Sequence, residues 1–229
     1  MAKNNTEETR TAIDDLNDSL TGFEQKVQNN QKLILWGCIA IIACVCAVLI
    51  YFYAVRTPGI QSANEAVGKA DMSLALGNDS IALDQYKLVA DNYGYDGGNR
   101  AALNAAILLY QKGEYQEAIN YLKKYSPSES IIGAAAKSLE GDCYVNLQQY
   151  DQALDCFRKA ASISDKNPHY TPLFLMKEAT VERELGNYAA EAKLYQEIID
   201  LYPNYGQAAQ IDMEKYLRRA KIQAGLPTE

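Results

Sequence analysis

Residues that could carry out chemistry are few in this 229-residue chain. Its one histidine, His169, lies in the segment Asn-Pro-His-Tyr (167–170), and no cysteine, serine or acidic residue has a spacing that would recruit it as a base. Nucleophilic hydrolases need such a partnered histidine, and metal centres need clusters of His, Cys, Asp or Glu. We therefore expect no catalytic residue, no metal site and no cofactor. We expect His169 to lie in a surface loop.

The glycine-rich segment 94–98 (GYDGG) could suggest a phosphate-binding loop. It follows a predicted helix rather than a strand, and no Lys-Ser/Thr pair follows it, so we predict a turn between helical hairpins. The chain carries 29 acidic and 22 basic residues, for a net charge of −7. Because nucleic-acid binders need a basic surface, this balance argues against a nucleic-acid partner. We also expect no small-molecule substrate.

The five cysteines fall into two groups. Cys38, Cys44 and Cys46 lie in an apolar stretch, where packing is the expected role and palmitoylation of Cys38 is the alternative. Cys143 and Cys156 lie in the two helices of one predicted hairpin. In an oxidising compartment this pair could form a disulfide, but each cysteine is also a natural core residue. Both possibilities stay open.

A long apolar segment separates the chain into parts. The 23 residues between Lys32 and Arg56 carry no charge, and 20 of the 21 residues in 33–53 are apolar. As a helix the uncharged stretch would span roughly 35 Å, which is enough to cross a hydrocarbon core of about 30 Å. Trp36 at one end and Tyr51, Phe52 and Tyr53 at the other match the expected aromatic belts. We predict a transmembrane helix over 33–53.

Two alternatives remain for this segment. A cleaved signal peptide normally has a basic leader and a shorter apolar stretch, whereas residues 1–32 hold four basic and six acidic residues. A lipoprotein is the other alternative, because residues 41–44 (IIAC) resemble a lipobox that ends at Cys44. The chain nevertheless stays apolar for nine residues beyond Cys44.

The tail 1–32 is expected on the cytoplasmic side. The basic residues that directly flank the apolar segment are equal in number on its two sides, but the whole tail holds four, Lys3, Arg10, Lys26 and Lys32, and the family resemblance given below favours the same orientation. Its apolar residues have heptad-like spacing, which is typical of a weak amphipathic helix or of a short coiled coil. These residues are Ile13, Leu16, Leu20, Phe23 and Val27.

An internal repeat organises the rest of the chain. Segments 108–125, 143–160 and 181–198 align, and Tyr115, Ala118 and Leu122 match residues 35 positions later. A more divergent copy, with Gly77, precedes them by about 36 residues. Four copies of this length indicate stacked helix–turn–helix units. Repeated amphipathic positions also account for 17 tyrosines against four phenylalanines.

These residues resemble the tetratricopeptide repeat (TPR) family over about 62–203. The third copy shows the family's alternation of small and aromatic residues: Gly141, Tyr144, Ala153, Phe157 and Ala160. Lys137 stands where the family has tryptophan, and the closing proline is displaced to Pro168. In the fourth copy, which Pro203 closes, Glu191 occupies a position that is usually small, and this leaves the register of that helix open.

The fold class expected is therefore all-α, a TPR-type solenoid tethered by one N-terminal transmembrane helix. The predicted helix pairs are 62–76 and 79–93, 99–112 and 115–125, 131–147 and 150–164, and 170–185 and 188–202. A linker at 54–61 leads into the solenoid domain, 62–229. A capping helix over about 205–223 should cover the last hairpin, which has no following neighbour.

The resemblance implies a groove, lined by the first helices, that binds proteins or peptides. The residues expected there are Arg100, Leu103, Ile107, Tyr110, Gln111, Asp142, Asn146, Met176 and Arg183. The Lys, Asn and Arg cluster with which some TPR domains clamp C-terminal carboxylates is not visible. A mixed apolar and polar groove suits an unfolded or helical segment better. The alternative for Leu103 and Ile107 is burial by the adjacent hairpin.

The layout resembles the ancillary subunit family of the bacterial SecYEG translocon. That resemblance implies a non-catalytic protein in the inner membrane, with a periplasmic TPR domain that attends exported proteins. Its expected partners are the translocon, a membrane-anchored chaperone or exported clients. The alternatives are a structural assembly factor of an envelope complex and a TPR regulator that faces the cytoplasm.

Overall fold

The computed structural model describes Thr21, Gln28 and residues 30–228. The chain divides into two compact units, Met1–Pro58 and Gly59–Glu229. Every regular element among residues 30–228 is a helix. The predicted tail helix, with its heptad-like apolar residues, lies outside the described residues.

The first unit contains the predicted membrane segment as helix α1, Gln31–Ile50, followed by a π-helical turn, Tyr51–Arg56. Proline lacks an amide hydrogen and crowds the preceding turn of a helix. The π-helical turn, which is wider than an α-helical turn, therefore lies just before Pro58, where the backbone hydrogen bonds of the helix are disturbed. The Phe52 carbonyl accepts hydrogen bonds both from the Thr57 amide and, at 2.8 Å, from the Thr57 hydroxyl. The predicted linker, 54–61, is helical throughout, and the boundary between the two units falls inside it.

The apolar helix is exposed in the structure. It belongs to the helical run Gln31–Ala75, whose most apolar window has a mean hydropathy of 3.0 and no buried residue. This run is long and apolar enough to cross a membrane. A signal sequence near the N-terminus can have the same length and composition.

The second unit is built on the four predicted hairpins. Their helices are α2 Thr57–Ala75 and α3 Asp79–Asn92; α4 Tyr95–Gln111 and α5 Tyr115–Lys124; α6 Ser130–Asn146 and α7 Tyr150–Ile163; α8 Thr171–Glu184 and α9 Tyr188–Leu201.

One turn geometry recurs in all four hairpins. The second residue after each first helix has a left-handed backbone: Gly77 (φ 75°), Gly113 (79°), Gln148 (59°) and Gly186 (76°). The amide of the next residue bonds back to a carbonyl in the last turn of the helix, as from Asn78 to Ser73 at 3.0 Å. This is the Schellman arrangement that ends helices. In every hairpin the second helix starts two residues after the turn residue, which fixes a common register.

That register shows how each hairpin packs. The position five residues after the left-handed turn residue is completely buried in every hairpin and holds Ala82, Ala118, Ala153 and Glu191. The position four residues further along the chain holds a large buried residue: Tyr86, Leu122, Phe157 and Tyr195. A small residue in the first helix faces the large one, since a Cβ on Gly141 would lie 2.6 Å from Phe157 Cε1. Glu191 therefore keeps the register of the other copies, which the sequence had left open for this helix.

The prediction of a turn at 94–98 is wrong. Helix α4 already begins at Tyr95, so Gly97 and Gly98 lie in its first turns. A Cβ on Gly97 would lie 2.8 Å from Ala63 Cβ, and one on Gly98 would lie 1.9 Å from the Tyr93 carbonyl oxygen. The missing side chains of these glycines let helix α4 lie close to Ala63 of α2 and to the Tyr93 backbone at the end of α3.

The prediction of one capping helix over 205–223 is also wrong. The structure has two helices, α10 Tyr205–Ala209 and α11 Met213–Ala224. The chain turns at Gln210 (φ 56°), and Asp212 caps α11 by accepting a hydrogen bond from the Lys215 amide at 3.0 Å. Met213, Leu217 and Ala220 of α11 are buried, so α11 supplies the cover for the last hairpin.

Candidate protein-binding face

The common register identifies one face of the first helices. All nine residues predicted for the groove stand 13, 10, 6, 3 or 2 residues before the left-handed turn residue of their hairpin. We call the set of residues at these five positions in the four hairpins the first-helix face. Hairpin 1 contributes Asn64, Val67, Asp71, Leu74 and Ala75; hairpin 2 Arg100, Leu103, Ile107, Tyr110 and Gln111; hairpin 3 Ala135, Ser138, Asp142, Val145 and Asn146; hairpin 4 Leu173, Met176, Thr180, Arg183 and Glu184.

Polar contacts connect this face from one hairpin to the next. Arg100 of α4 forms a 2.5 Å ion pair with Asp71 of α2. Lys177 of α8 forms a 2.5 Å ion pair with Asp142 of α6 and donates to the Ser138 hydroxyl at 3.1 Å. The first helices are thus held side by side, as in solenoids whose curvature creates an extended binding surface.

The middle of the face joins hairpins 2 and 3 around Tyr110. Burial raises the pKa of the Tyr110 phenol, the negative charge of Asp142 raises it further, and a hydrogen bond with Asn146 opposes both effects. The Tyr110 ring also packs edge-on against Tyr115, with 5.6 Å between the ring centroids. Three of the predicted groove residues, Tyr110, Asp142 and Asn146, therefore lie together.

Most apolar residues of the face are only partly covered, although Val67 is completely buried. Ile107 is 38% exposed, while Leu103, Tyr110 and Met176 are half-buried. Ile107 is therefore not enclosed by the adjacent hairpin, which was the alternative to a groove position, whereas Leu103 packs against the core with part of its surface open.

The remaining predicted residues lie at the edge of the face. Gln111 and Asn146 are exposed, and the Asn146 amide donates to the Asp142 carbonyl at 2.8 Å. Arg183 forms a 3.0 Å ion pair with Glu184, its neighbour in the chain. Among the described residues, neither Arg183 nor Met176 forms a hydrogen bond with Tyr110, Asp142 or Asn146.

Three residues at this face were not predicted from the sequence: Asp71 and Leu173, which belong to the face, and Lys177, which contacts it. Lys177 supplies the cation for Asp142, Asp71 supplies the anion for Arg100, and Leu173 is 39% exposed at the position of Arg100 in hairpin 4. The glycines at 77, 113 and 186 could have revealed Asp71 and Leu173, because counting back from them gives the same positions in every copy.

The two cysteines of the solenoid are withdrawn from solvent. Burial raises the pKa of Cys143 to about 12 and that of Cys156 to about 11, so both thiols stay protonated near neutral pH. Neither is in a disulfide. In the part of the chain that the structure describes, no group of three or more His, Cys, Asp or Glu side chains could hold a metal ion.

His169 lies in an exposed loop, as predicted. Its amide donates to Asn167 Oδ1 at 3.0 Å, and its side chain borders a cavity of about 350 Å³ that Leu201, Tyr202 and Tyr205 also line. No acidic or nucleophilic side chain lines this cavity among the described residues.

Buried carboxylates lie on the other side of the first helices. Glu178 and Glu182 of α8 both accept 2.8 Å hydrogen bonds from Arg158 of the preceding hairpin. Burial raises the pKa of Glu178, and the Arg158 charge opposes that shift. These ion pairs join hairpins 3 and 4 and are structural.

The fold and this face define a class, the tetratricopeptide-type solenoid that serves as a protein-interaction module. Sequence profiles of the tetratricopeptide repeat match residues 134–167 and residues 174–205. The chain therefore contains tetratricopeptide repeats in hairpins 3 and 4, and hairpins 1 and 2 share their register.

Solved structures with the same fold are similar to the chain at low identity. One crystal structure of MamA is 17% identical with a TM-score of 0.57, and the match covers 72% of this chain and 84% of that one. A second MamA structure is 18% identical (TM-score 0.55; 69% and 85% covered). The TPR-like repeats of a putative kinesin light chain from Podospora anserina are 14% identical (TM-score 0.53; 70% and 86% covered). No curated protein matches the chain in sequence. At these identities the similarity shows the fold.

Proposed function

We propose that the chain is a non-catalytic protein-interaction module anchored in the bacterial inner membrane by residues 33–53. In this proposal the solenoid faces the periplasm and assists the export or folding of proteins near the Sec translocon. The observation that carries the binding role is the first-helix face, where ion pairs join the helices while Ile107 and Leu173 stay more than a third exposed.

Two features support the membrane-tethered part of the proposal. The apolar helix before the solenoid is long and apolar enough to span a bilayer, and its most apolar window has no buried residue in the part of the chain that the structure describes. The order of a short tail, an apolar helix and a TPR-type solenoid is the layout of the ancillary translocon subunit family. The net charge of −7 also favours protein partners over nucleic acid.

The binding role is tested by photocrosslinking in cells. A photoreactive amino acid replaces Asn146, which is exposed on the first-helix face, and in a matched control it replaces Ser162, which is exposed on α7 outside that face. The proposal expects adducts with translocon subunits, membrane-anchored chaperones or exported proteins from Asn146 and not from Ser162. Equal adducts from both sites, or none from Asn146, would contradict it. A single stoichiometric envelope partner would instead favour the assembly-factor alternative.

Topology is tested separately with an impermeant thiol reagent on intact spheroplasts. The native solenoid cysteines are buried, so the reporter is an introduced Ser162→Cys in a chain whose Cys143 and Cys156 stay unmodified. Labelling before lysis is the expected result. Labelling only after lysis would place the solenoid in the cytoplasm and favour the regulator alternative.

A further inference from the structure

The charges of the first-helix face are neutralised within the chain. Among its twenty residues five are charged, and each has a partner of opposite charge: Asp71 with Arg100, Asp142 with Lys177, and Arg183 with Glu184. Two of these pairs join neighbouring hairpins, so they are part of the packing of the first helices. The face therefore has no unpaired charge, although the side chains of Arg100 and Glu184 are 56% and 51% exposed.

The side chains that remain available are apolar or neutral. Half of the twenty residues are apolar, and Ile107 and Leu173 are 38% and 39% exposed. The exposed neutral polar residues are Asn64, Gln111, Asn146 and Thr180, which can hydrogen-bond a peptide backbone without a net charge.

A charged ligand would bind this face at a cost. Its charge would lose part of its hydration on docking, and it would have to compete with the existing partner of each charged side chain. An apolar ligand would instead cover Ile107 and Leu173 and leave the three pairs intact.

We infer that the first-helix face binds an uncharged, apolar stretch of polypeptide, rather than a charged terminus or an acidic or basic motif. This inference rests on the proposed function and names the class of ligand for it. Because the recognition is apolar, its strength should hardly depend on ionic strength, whereas the attraction between exposed charges is largely screened at high salt.

The test uses the full chain in lipid nanodiscs and three fluorescein-labelled peptides of equal length. One is composed of Leu, Ala and Ser, and in the other two the central residues are replaced by Glu or by Lys. The inference expects the neutral peptide to bind about tenfold more tightly than either charged peptide. Its affinity should change by no more than about twofold between about 0.1 M and about 1 M salt.

Variants locate the binding. Ile107→Asp should weaken binding of the neutral peptide about tenfold, whereas the matched control Leu88→Asp, at a 61% exposed leucine of α3 outside the face, should leave it unchanged. Asp142→Asn removes the partner of Lys177 and should make the Glu-containing peptide bind more tightly and in a salt-dependent way. Circular dichroism of each variant checks that it is folded.

Tighter binding of a charged peptide, marked weakening by salt, an equal effect of both Asp variants, or binding of none of the peptides would overturn the inference. The proposed function is judged by the crosslinks from Asn146. If those crosslinks form while a charged peptide binds best, only the ligand class is wrong; if they do not form, the proposed function itself fails.

Discussion

Arg219 of α11 donates a 2.6 Å hydrogen bond to the carboxylate of Glu191, which is completely buried in α9. Glu191 stands where the other three hairpins have alanine, and its larger side chain reaches the capping helix. The Arg219 guanidinium also lies over the Tyr216 ring, 5.1 Å from its centroid. Among the described residues, Glu191 Oε2 and Arg219 Nε are buried without a hydrogen-bond partner. The capping helix is thus attached by an ion pair whose carboxylate is completely buried and whose hydrogen bonds are only partly satisfied.

Breaking this pair from the arginine side should destabilise the protein. Arg219→Met leaves a buried carboxylate without a counter-charge, and we expect a loss of about 3 kcal/mol in the free energy of unfolding. The double variant Glu191→Ala/Arg219→Met should regain most of it, since alanine fits this position in three hairpins. Urea unfolding of the full chain in detergent measures both.

The control for this pair is Arg218→Met, which changes an exposed neighbour in α11. It should alter the free energy of unfolding by less than about 0.5 kcal/mol. Similar losses for Arg218→Met and Arg219→Met would refute a specific role for the pair.

Replacing the turn residue of the third hairpin with glycine should stabilise the protein. Gln148 has φ 59° where the other three hairpins have glycine, and a side chain in this left-handed region costs about 1 kcal/mol. Gln148→Gly is therefore expected to raise the free energy of unfolding by up to that amount. Gln149→Gly is the control: Gln149 has an ordinary φ of −95°, so glycine should not stabilise the chain there. Equal effects at both positions would show that backbone strain at Gln148 is not the cause.

Burial should keep the two solenoid thiols unreactive in the native protein. The raised pKa of Cys143 and of Cys156 leaves almost no thiolate at about pH 8, and neither side chain is accessible. Alkylation followed by mass spectrometry should find both residues unmodified before denaturation and labelled after it, without any reductant. Failure to label them after denaturation would reveal a disulfide, and rapid labelling of the native chain would contradict their burial.

Two tyrosines should make stability fall at alkaline pH. The hydroxyls of Tyr86 and Tyr121 donate to Asp71 and Asp91, and burial together with these carboxylates raises each pKa from 10.0 to about 12. The folded state then holds these protons more tightly than the unfolded state, so their contribution is complete below pH 10.0 and is lost as the pH rises toward about 12.

The double variant Tyr86→Phe/Tyr121→Phe isolates this effect. Lysine and arginine titrate in both proteins, so the difference between their unfolding free energies reports the two phenols. That difference should be constant up to about pH 9 and should shift against the natural chain above pH 10.0. A difference independent of pH would show that the phenols are not perturbed by folding.

The hairpins could be predicted from the sequence because their spacing is local. Each unit repeats a turn residue, a small residue and a large residue at fixed distances, and these residues pack within one hairpin. Glu191 illustrates the limit: the repeat predicts its position, but its accommodation depends on Arg219, 28 residues away, in a helix outside the repeat.

The sequence predicted which positions form the candidate face, but it did not predict the ion pairs that connect this face between hairpins. All nine predicted residues fall at five positions of the common register. The pairs of Asp71 with Arg100 and of Asp142 with Lys177 depend on how neighbouring hairpins stack, which no spacing within one copy specifies. The prediction of a single capping helix was wrong for a local reason. Asp212 is an N-cap residue, so a new helix starts at Met213 and the helix that begins at Tyr205 does not continue.

The central claim is that other proteins dock on the first-helix face of a membrane-tethered solenoid, and crosslinking from Asn146 in the Ile107→Asp background tests it most directly. Adducts formed from Asn146 in the natural chain should be lost with Ile107→Asp and retained with Leu88→Asp, while all three chains reach the membrane in equal amounts. Adducts that persist with Ile107→Asp, or that disappear equally with Leu88→Asp, would contradict the claim.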